Sequence, residues 1–402
     1  MKSAYAKVTI AVLIIFSCSS AIKAHGPENA SGKYGKQIPI TGNTDQLKYF
    51  FNALKESKTK KIRIAHYGDS IIQGDVLSEN IRERMQKLFG GNGAGFISIN
   101  TEDYGMRKTS TLSFSDDWKE ASLFKRNPEK MPLGLNGAVC VPNVNSWAKF
   151  ETSRYSKTLK SFSTVRLFYS NAAATSQIKY TFNNGAVKTA NLKSGLKLNE
   201  LLLNQPNATS FKFEFISGQK PFMYGVSLEN GNGVYVDNFP LKGNSGVTLL
   251  DIPANVLKEF NALMNYKLLI INFGPNVISA EHVTYTWYEE KMEKVIRYFQ
   301  EAFPQTSILI VSIGDKGIKK GTKFITDPGV KNLLEAQKNL ARKTNVAFWN
   351  LYEAMGAENS ILDWVDAKPA LAYKDYTHFT PEGGEVVGDL LTDALMNLYN
   401  QK

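Results

Sequence analysis

The sequence predicts an α/β fold with a parallel sheet that carries an inserted all-β domain. Apolar strand-like runs alternate with helix-like runs towards both ends of the chain, which is the order typical of a parallel α/β sheet. Between about residues 108 and 232 the pattern changes to short alternating runs separated by turns, as in a β-sandwich or jelly roll. The 402 residues also exceed a usual single core, so two domains are expected.

The predicted elements follow from these patterns in chain order. A helix is expected over 45–58, ahead of the first strand. Strand-like runs cover 61–67, 234–237, 267–273, 307–313 and 346–350, and helix-like runs cover 75–89, 286–303, 330–343 and 383–399. The insert contains alternating runs over 164–169, 177–182 and 210–215 and a turn at Asn183-Asn184-Gly185.

The strand at 61–67 runs directly into a Gly68-Asp69-Ser70 turn. Open α/β sheets place their chemistry at the carboxyl ends of the strands, so Ser70 is a candidate nucleophile. A serine hydroxyl is a weak nucleophile at neutral pH and needs a neutral imidazole to accept its proton. The sequence must therefore supply a histidine.

Only four histidines occur, at positions 25, 66, 282 and 378. His25 lies near a predicted processing site, and His66 is inside the first strand, where packing or a supporting hydrogen bond is expected. His282 has only the adjacent Glu281 as an acidic neighbour, whereas Asp375 lies three residues before His378. An aspartate there can meet the imidazole Nδ1–H and fix its tautomer, so His378 is the expected base and Asp375 its acid.

These blocks resemble those of the SGNH (GDSL-type) hydrolases, over about residues 60–100 and 233–400. Gly68-Asp69-Ser70 is similar to the first block and Asp375-x-x-His378 to the last. The resemblance implies a three-layer, flavodoxin-like parallel sheet, in catalytic segments 25–107 and 233–402 that flank an insert at 108–232. An insert in this position resembles secreted peptidoglycan O-acetylesterases, which carry a carbohydrate-binding-like β module there.

The resemblance also implies an oxyanion hole. Ser70 would donate its backbone N–H, and Asn276, in the Gly274-Pro275-Asn276 turn after the strand at 267–273, would donate from its side chain. Val277 stands where the family often has an aspartate. The glycine donor is assigned to Gly246, with Gly243 second, because the Ser-Gly-x-Thr pattern aligns best on Gly246.

Other chemistries have less support in the sequence. The Gly-x-Ser-x-Gly elbow of the commoner α/β-hydrolases does not occur. The glycine-rich run 90–95 lacks the Gly-Lys-Ser/Thr of a phosphate-binding loop and is expected to be a flexible loop near the site. Two cysteines and four scattered histidines give no zinc spacing, so neither metal nor cofactor is expected, and Cys140 is expected to form no disulfide.

The N-terminus predicts export. Lys2 and Lys7 precede an apolar run too short to span a bilayer, and mostly small residues follow to Ala24, which indicates a signal peptide over 1–24. A lipoprotein signal ending at Cys18 is the alternative, and would anchor the chain in a membrane. The formal net charge is +11, or +8 without Lys2, Lys7 and Lys23. Anionic polymers such as cell wall are therefore expected partners rather than nucleic acid.

The expected function is that of an exported serine esterase in the periplasm or cell envelope. It would remove O-acetyl groups from a glycan such as peptidoglycan through an acyl-enzyme on Ser70. Three alternatives stay open: an acetylesterase of the acetylxylan type that acts on plant or dietary polysaccharide, a lipase or thioesterase, and an inactive glycan-binding protein. In the insert, Tyr155, Phe168, Tyr169, Tyr180 and Phe182 could stack on sugars or fill the core.

Overall fold

The computed structural model describes residues 34–99, 106–156, 159–279 and 284–402. The predicted signal peptide at 1–24, Cys18, His25 and His282 lie outside the described residues, so those expectations stay predictions. In the described part of the chain, no helix is both long and apolar enough to cross a membrane.

The helices and strands are as follows. The α-helices of the described residues are α1 Lys48–Leu54, α2 Ser78–Phe89, α3 Ala254–Met264, α4 Thr286–Ala302, α5 Gly329–Thr344, α6 Leu351–Met355, α7 Ser360–Asp366 and α8 Pro381–Tyr399; 3₁₀ helices cover Thr44–Leu47, Ser70–Asp75 and Val247–Asp251. The strands are β1 Thr41–Gly42, β2 Lys61–Gly68, β3 Asn92–Ser98, β4 Ser110–Phe114, β5 Lys119–Ser122, β6 Ala138–Val141, β7 Trp147–Thr152, β8 Phe162–Ser170, β9 Gln177–Phe182, β10 Lys188–Asn191, β11 Asn199–Ala208, β12 Ser210–Ser217, β13 Phe222–Asn230, β14 Gly233–Pro240, β15 Tyr266–Asn272, β16 Ser307–Val311, β17 Gly317–Lys320, β18 Lys323–Thr326 and β19 Ala347–Trp349.

The central sheet has the strand order β1-β19-β16-β15-β2-β14. All neighbours are parallel except β1, which pairs antiparallel with β19 at the edge. Numbered along the chain, the five parallel strands follow the order 2-1-3-4-5, which is the flavodoxin-like doubly wound order. The strand order reverses between β2 and β15, so the crevice outside their carboxyl ends is where such a fold binds its ligand.

Helices cover both faces of this sheet, because its strands are apolar on both sides. In β2, Ile62 and Ile64 pack into a core with α1, α2 and α8 on one face. Ala65 and Tyr67 point to the other core, which α3, α4 and α5 complete. A buried parallel strand with apolar residues on both faces needs a helical layer on each side. The mixed α/β fold with a parallel sheet is therefore confirmed.

Two antiparallel sheets form the inserted β module. One has the order β10-β9-β12-β7-β4, and the other β11-β8-β13-β6-β5, with β3 also paired to β13. Phe150, Phe211 and Phe213 from the first sheet share one core with Leu167 and Val226 from the second. The alternating apolar residues thus fill a sandwich interior, whereas the jelly-roll connection stays a prediction.

The glycine-rich run at 90–95 is part of a strand, so the prediction of a flexible loop was wrong. Most of it belongs to β3, which pairs antiparallel with β13. A Cβ on Gly93 would approach the Leu228 carbonyl oxygen to 2.3 Å, and one on Gly95 would approach Asp237 Oδ1 to 2.1 Å. The glycines therefore allow β3 to lie close to β13 and β14. The domain boundary at 107/108 stays a prediction, although β3 on its N-terminal side joins a sheet of the insert.

A buried ion cluster joins the central sheet to the insert. Arg63 of β2 donates to both carboxylate oxygens of Asp237 in β14, at 3.0 and 3.2 Å, and pairs with Glu229 of β13. The Ser227 hydroxyl accepts another hydrogen bond from Arg63 at 3.0 Å. All four side chains are fully buried or nearly so. Their pairing fixes the insert against the catalytic sheet.

Candidate active site

Ser70 stands directly beyond the carboxyl end of β2. A Cβ on Gly68 would come within 2.7 Å of the Asn272 carbonyl oxygen, so glycine lets β2 and β15 approach each other at this point. Asp69 then caps the 3₁₀ helix Ser70–Asp75, and its side chain accepts a hydrogen bond from the Ile71 N–H at 3.0 Å. The turn therefore places the Ser70 hydroxyl at the reversal point of the sheet.

The structure brings Ser70, His378 and Asp375 into one hydrogen-bonded chain. Ser70 Oγ lies 2.8 Å from His378 Nε2, and His378 Nδ1 lies 2.8 Å from Asp375 Oδ2. With the imidazole neutral, Nδ1–H donates to the carboxylate and Nε2 can accept the serine proton. The predicted nucleophile, base and acid thus have the relative positions that the mechanism needs.

The loop that carries Asp375 and His378 holds the carboxylate by backbone groups. Asp375 Oδ1 accepts the N–H groups of Thr377 at 2.9 Å and His378 at 3.0 Å. Partial burial by itself raises the pKa of the Asp375 carboxyl, but these hydrogen bonds and the imidazole outweigh it and hold that pKa below its ordinary value. The carboxylate therefore stays ionised beside His378.

Asp69 is a buried part of the candidate site to which the sequence assigned no role. Its carboxylate is fully buried, and Oδ2 accepts the Gly274 N–H at 3.1 Å while Oδ1 accepts Ile71 N–H. Burial raises the pKa of Asp69 to about 6, although both hydrogen bonds and the nearby His378 act in the opposite direction. Asp69 thus connects the nucleophile turn to the Gly274-Pro275-Asn276 turn. In the sequence, the position of Asp69 directly before Ser70 was the feature that could have indicated this contact.

Of the predicted oxyanion donors, Asn276 lies in the cleft with Ser70, but Gly246 does not. Gly243, the second choice, lines that cleft instead. The Gly246 N–H donates to Asn244 Oδ1 at 2.7 Å, and a Cβ there would lie 2.8 Å from the Phe273 ring. With a φ of +91°, Gly246 turns the chain into the 3₁₀ helix Val247–Asp251. Its N–H is therefore used within the turn, and Gly243 replaces it as the candidate donor.

A cleft of about 1480 Å³ opens from the triad. One part of its lining comes from the catalytic unit: acidic side chains of α2 and the start of α8, namely Glu79, Glu83, Glu382 and Glu385. Another part comes from the insert, where β4, the end of β7 and the following turn contribute Ser110, Thr111, Glu151, Thr152, Ser153, Arg154 and Tyr155. The candidate active site therefore lies between the α/β unit and the β module.

The remaining candidates have structural roles. His66 is buried, and its Nδ1 lies 2.8 Å from Ser78 Oγ, which confirms the expected supporting hydrogen bond. Phe168, Tyr169 and Phe182 are buried in the insert, so they fill the core. Cys140 is buried and forms no disulfide within the described part of the chain. Across 34–402, apart from the undescribed gaps, no group of three His, Cys, Asp or Glu residues is arranged to hold a metal ion.

No protein-family model matches the chain, and no curated protein matches it. A solved structure described as a peptidoglycan O-acetylesterase has a TM-score of 0.73 and 19% identity, and covers 90% of this chain and 99% of that chain. A family two carbohydrate esterase from Cellvibrio japonicus has a TM-score of 0.30 and 10% identity, covering 73% and 98% of the two chains. The protein therefore has the same fold as the first of these structures, and the predicted resemblance is confirmed at the level of the fold.

Proposed function

We propose that the protein is an exported serine esterase that removes O-acetyl groups from a cell-envelope glycan such as peptidoglycan. The observation that carries this proposal is the hydrogen-bonded chain from Ser70 through His378 to Asp375, which opens into a cleft large enough for several sugar units. The solved structure of a peptidoglycan O-acetylesterase has a similar fold and covers 90% of this chain, including the region of the insert. This similarity supports the choice of substrate class.

The geometry supports a two-step reaction. Ser70 Oγ attacks the acetyl carbonyl carbon while His378 Nε2 accepts the hydroxyl proton, and Asp375 stabilises the imidazolium. The carbonyl electron pair moves to oxygen, where the N–H groups of Ser70 and Gly243 and the Asn276 amide would donate hydrogen bonds. The ester C–O bond then breaks, and the sugar hydroxyl leaves with the proton from His378. Acetyl-Ser70 remains.

Water completes the cycle. His378 accepts a proton from a water molecule as its oxygen attacks the acetyl-Ser70 carbonyl, and the second tetrahedral species collapses to acetate and free Ser70. The imidazole returns its proton to Ser70 Oγ in that collapse. The same three side chains therefore serve both half-reactions.

Export to the periplasm or cell envelope is part of the proposal. It rests on the predicted leader at 1–24, with lipidation of Cys18 as the alternative to a soluble product. The insert is proposed to contact glycan, and we retain the jelly roll as the proposed topology of its sandwich. A chain with a formal net charge of +8 after leader removal would be attracted to an anionic cell wall.

Acetate release distinguishes the candidate functions. Purified protein is incubated with O-acetylated peptidoglycan or with O-acetylated xylan, and Ser70→Ala serves as the control for background hydrolysis. Faster release from peptidoglycan supports the proposal, and faster release from xylan supports the acetylxylan-type alternative. Cleavage of long-chain esters alone would indicate a lipase or thioesterase. Binding without any release would indicate a glycan-binding protein.

A further inference from the structure

Tyr155 differs from the other aromatic residues of the insert in its surroundings. Its side chain is 64% exposed, whereas Phe168, Tyr169 and Phe182 are buried. It also lines the same cleft as Ser70 and His378. An exposed aromatic ring within a catalytic cleft offers an apolar face to whatever the cleft binds.

Arg154 holds the Tyr155 ring in place from one side. The guanidinium carbon lies 4.7 Å from the ring centroid, and Arg154 Nη2 donates a hydrogen bond to the tyrosine hydroxyl. Such stacking fixes an otherwise mobile side chain and leaves the other face of the ring available. The guanidinium keeps further N–H donors for sugar hydroxyls. Together the two residues form a platform with an apolar face and a polar edge.

Three hydrogen bonds connect this platform to the nucleophile segment. The Tyr155 N–H donates to Ser153 Oγ at 3.2 Å, and the Ser153 N–H donates to the Thr109 carbonyl at 3.3 Å. Thr109 Oγ1 then donates to Asp75 Oδ2 at 2.9 Å, and Asp75 ends the 3₁₀ helix that begins at Ser70. The platform therefore has a fixed place relative to the reacting hydroxyl.

The cleft is larger than an acetyl group requires. Pockets for small ligands usually measure about 300–1,000 Å³, and this cleft measures about 1480 Å³. Its insert side is lined by hydroxyl and carboxylate side chains, including Ser110, Thr111 and Glu151, which suit sugar hydroxyls. An aromatic face with polar neighbours matches a pyranose ring, which has an apolar C–H face and a polar rim.

We propose that Tyr155 and Arg154 form a subsite for a sugar ring of the glycan chain next to the acetylated sugar. The insert then contributes to catalysis from within the active-site cleft, by holding the polymer so that the ester meets Ser70. Binding energy from such a remote contact can position the reacting bond and raise the rate on the polymer alone. This inference rests on the proposed function, because the subsite is used only if the substrate is a glycan.

The test compares a polymer with a substrate too small to reach the platform. Tyr155→Ala should lower kcat/KM on the preferred O-acetylated polymer at least about tenfold, or about 1.4 kcal/mol, and leave p-nitrophenyl acetate hydrolysis within about twofold of wild type. Tyr155→Phe keeps the ring and should retain most of the polymer activity. Leu196→Ala, at an 83% exposed position of the insert that is outside the cleft lining, is the matched control.

Each contrary result has its own meaning. If Tyr155→Ala lowers kcat/KM equally on both substrates, or does not lower it on the polymer, the subsite is wrong while the esterase assignment stays intact. Hydrolysis of p-nitrophenyl acetate by wild type without acetate release from either polymer would overturn the proposed function itself. In the Ser70→Ala background, co-sedimentation with the polymer gives a second measurement. The bound fraction should fall with Tyr155→Ala and stay unchanged with Leu196→Ala.

Discussion

At the scale of single residues, the candidate oxyanion donors differ in whether they line the cleft and in whether their backbone N–H is bound within the turn. Asn276 and Gly243 line the cleft with Ser70, whereas the Gly246 N–H is bound to the Asn244 side chain. The sequence pattern could not show this difference, because both glycines follow the same strand within a few residues. Gly243 and Gly246 both have a positive φ, so it is the Asn244 contact that distinguishes the Gly246 N–H.

The first prediction concerns Asn276. Asn276→Ala should lower kcat on p-nitrophenyl acetate by about 10²-fold with little change in KM, because the amide acts on the charge that develops in the transition state. Steady-state kinetics of Asn276→Ala and wild type measure kcat and KM separately. A change confined to KM would instead make Asn276 a binding or turn residue.

The second prediction concerns Asp69, whose pKa is raised by burial to about 6. Because this folded-state pKa lies above the ordinary value of 3.8, protonated Asp69 stabilises the fold below about pH 4, and this stabilisation is lost as the pH rises through 6. Asp69→Asn does not titrate. Between pH 4 and pH 7 wild type should lose stability that the variant keeps. The free energy of unfolding of Asp69→Asn minus that of wild type should therefore increase by at most about 3 kcal/mol over this range.

Urea denaturation of both proteins at several pH values between 4 and 7 measures this difference. In Asp69→Asn, an amide nitrogen can take the place of the carboxylate oxygen that accepts the Gly274 N–H. This loss changes the free energy of unfolding by the same amount at every pH. If the free energies of unfolding of Asp69→Asn and wild type differ by the same amount at every pH, burial does not raise the pKa of Asp69 as described.

At the scale of elements, the hairpin of β17 and β18 supports the loop that carries Asp375 and His378. Phe324 of β18 stacks on Tyr376, with ring centroids 3.8 Å apart and an angle of 16° between the planes. The Gly317 N–H donates to the Tyr376 carbonyl at 2.8 Å, and Tyr376 has a left-handed φ of +54°. A residue in that conformation needs support from its surroundings. The hairpin provides it from a distant part of the sequence.

The third prediction tests Phe324 as a positioning residue. Phe324→Ala should lower kcat on p-nitrophenyl acetate about tenfold with KM nearly unchanged, because misplacement of His378 affects the reaction more than substrate binding. Phe324→Tyr preserves the stack and should restore most of the rate. Ile318→Ala, at an exposed position of the same hairpin, is the control. Failure of Phe324→Tyr to exceed Phe324→Ala would contradict the stacking role.

The elements of the α/β part were largely predictable, because buried strands and amphipathic helices have clear periodicities. The predicted runs 61–67 and 267–273 correspond to β2 and β15, and 383–399 corresponds to α8. Strand β3 was missed because its glycines resemble a loop, and only close contacts with β13 and Asp237 explain them. Short-range motifs identified the candidates Ser70, Asp375 and His378, whereas the proposed roles of Asp69, Tyr155 and Phe324 depend on contacts between distant segments.

At the scale of the whole molecule, the ion cluster of Arg63, Asp237 and Glu229 joins the two parts. Removing one partner of a buried ion pair leaves an uncompensated charge, which typically destabilises a protein by about 3–5 kcal/mol. The fourth prediction is that Arg63→Met lowers the free energy of unfolding by this amount. Lys60→Met is the matched control, because the exposed Lys60–Glu56 pair contributes about 0–1 kcal/mol.

Urea denaturation followed by tryptophan fluorescence and by circular dichroism measures both variants. The chain carries tryptophans in both parts, for example Trp147 in the insert and Trp349 in the central sheet. A loss for Arg63→Met no larger than that for Lys60→Met would show that the cluster does not hold the two parts together. Removal of 108–232 would delete Glu229 and β13 as well, so point variants are the better test of the insert.

The strand order of the central sheet has a consequence for the newly made chain. Strand β2 lies between β14 and β15, and both of these strands follow the whole inserted module in the sequence. The segment containing Ser70 therefore leaves the ribosome long before either neighbouring strand exists. Strand β2 has no neighbouring strand to pair with until residues 233–272 have emerged, and pairing between strands so far apart in the sequence is slow. The central sheet therefore cannot close until most of the protein has been synthesised, and the proposed export of an unfolded chain would benefit from this delay.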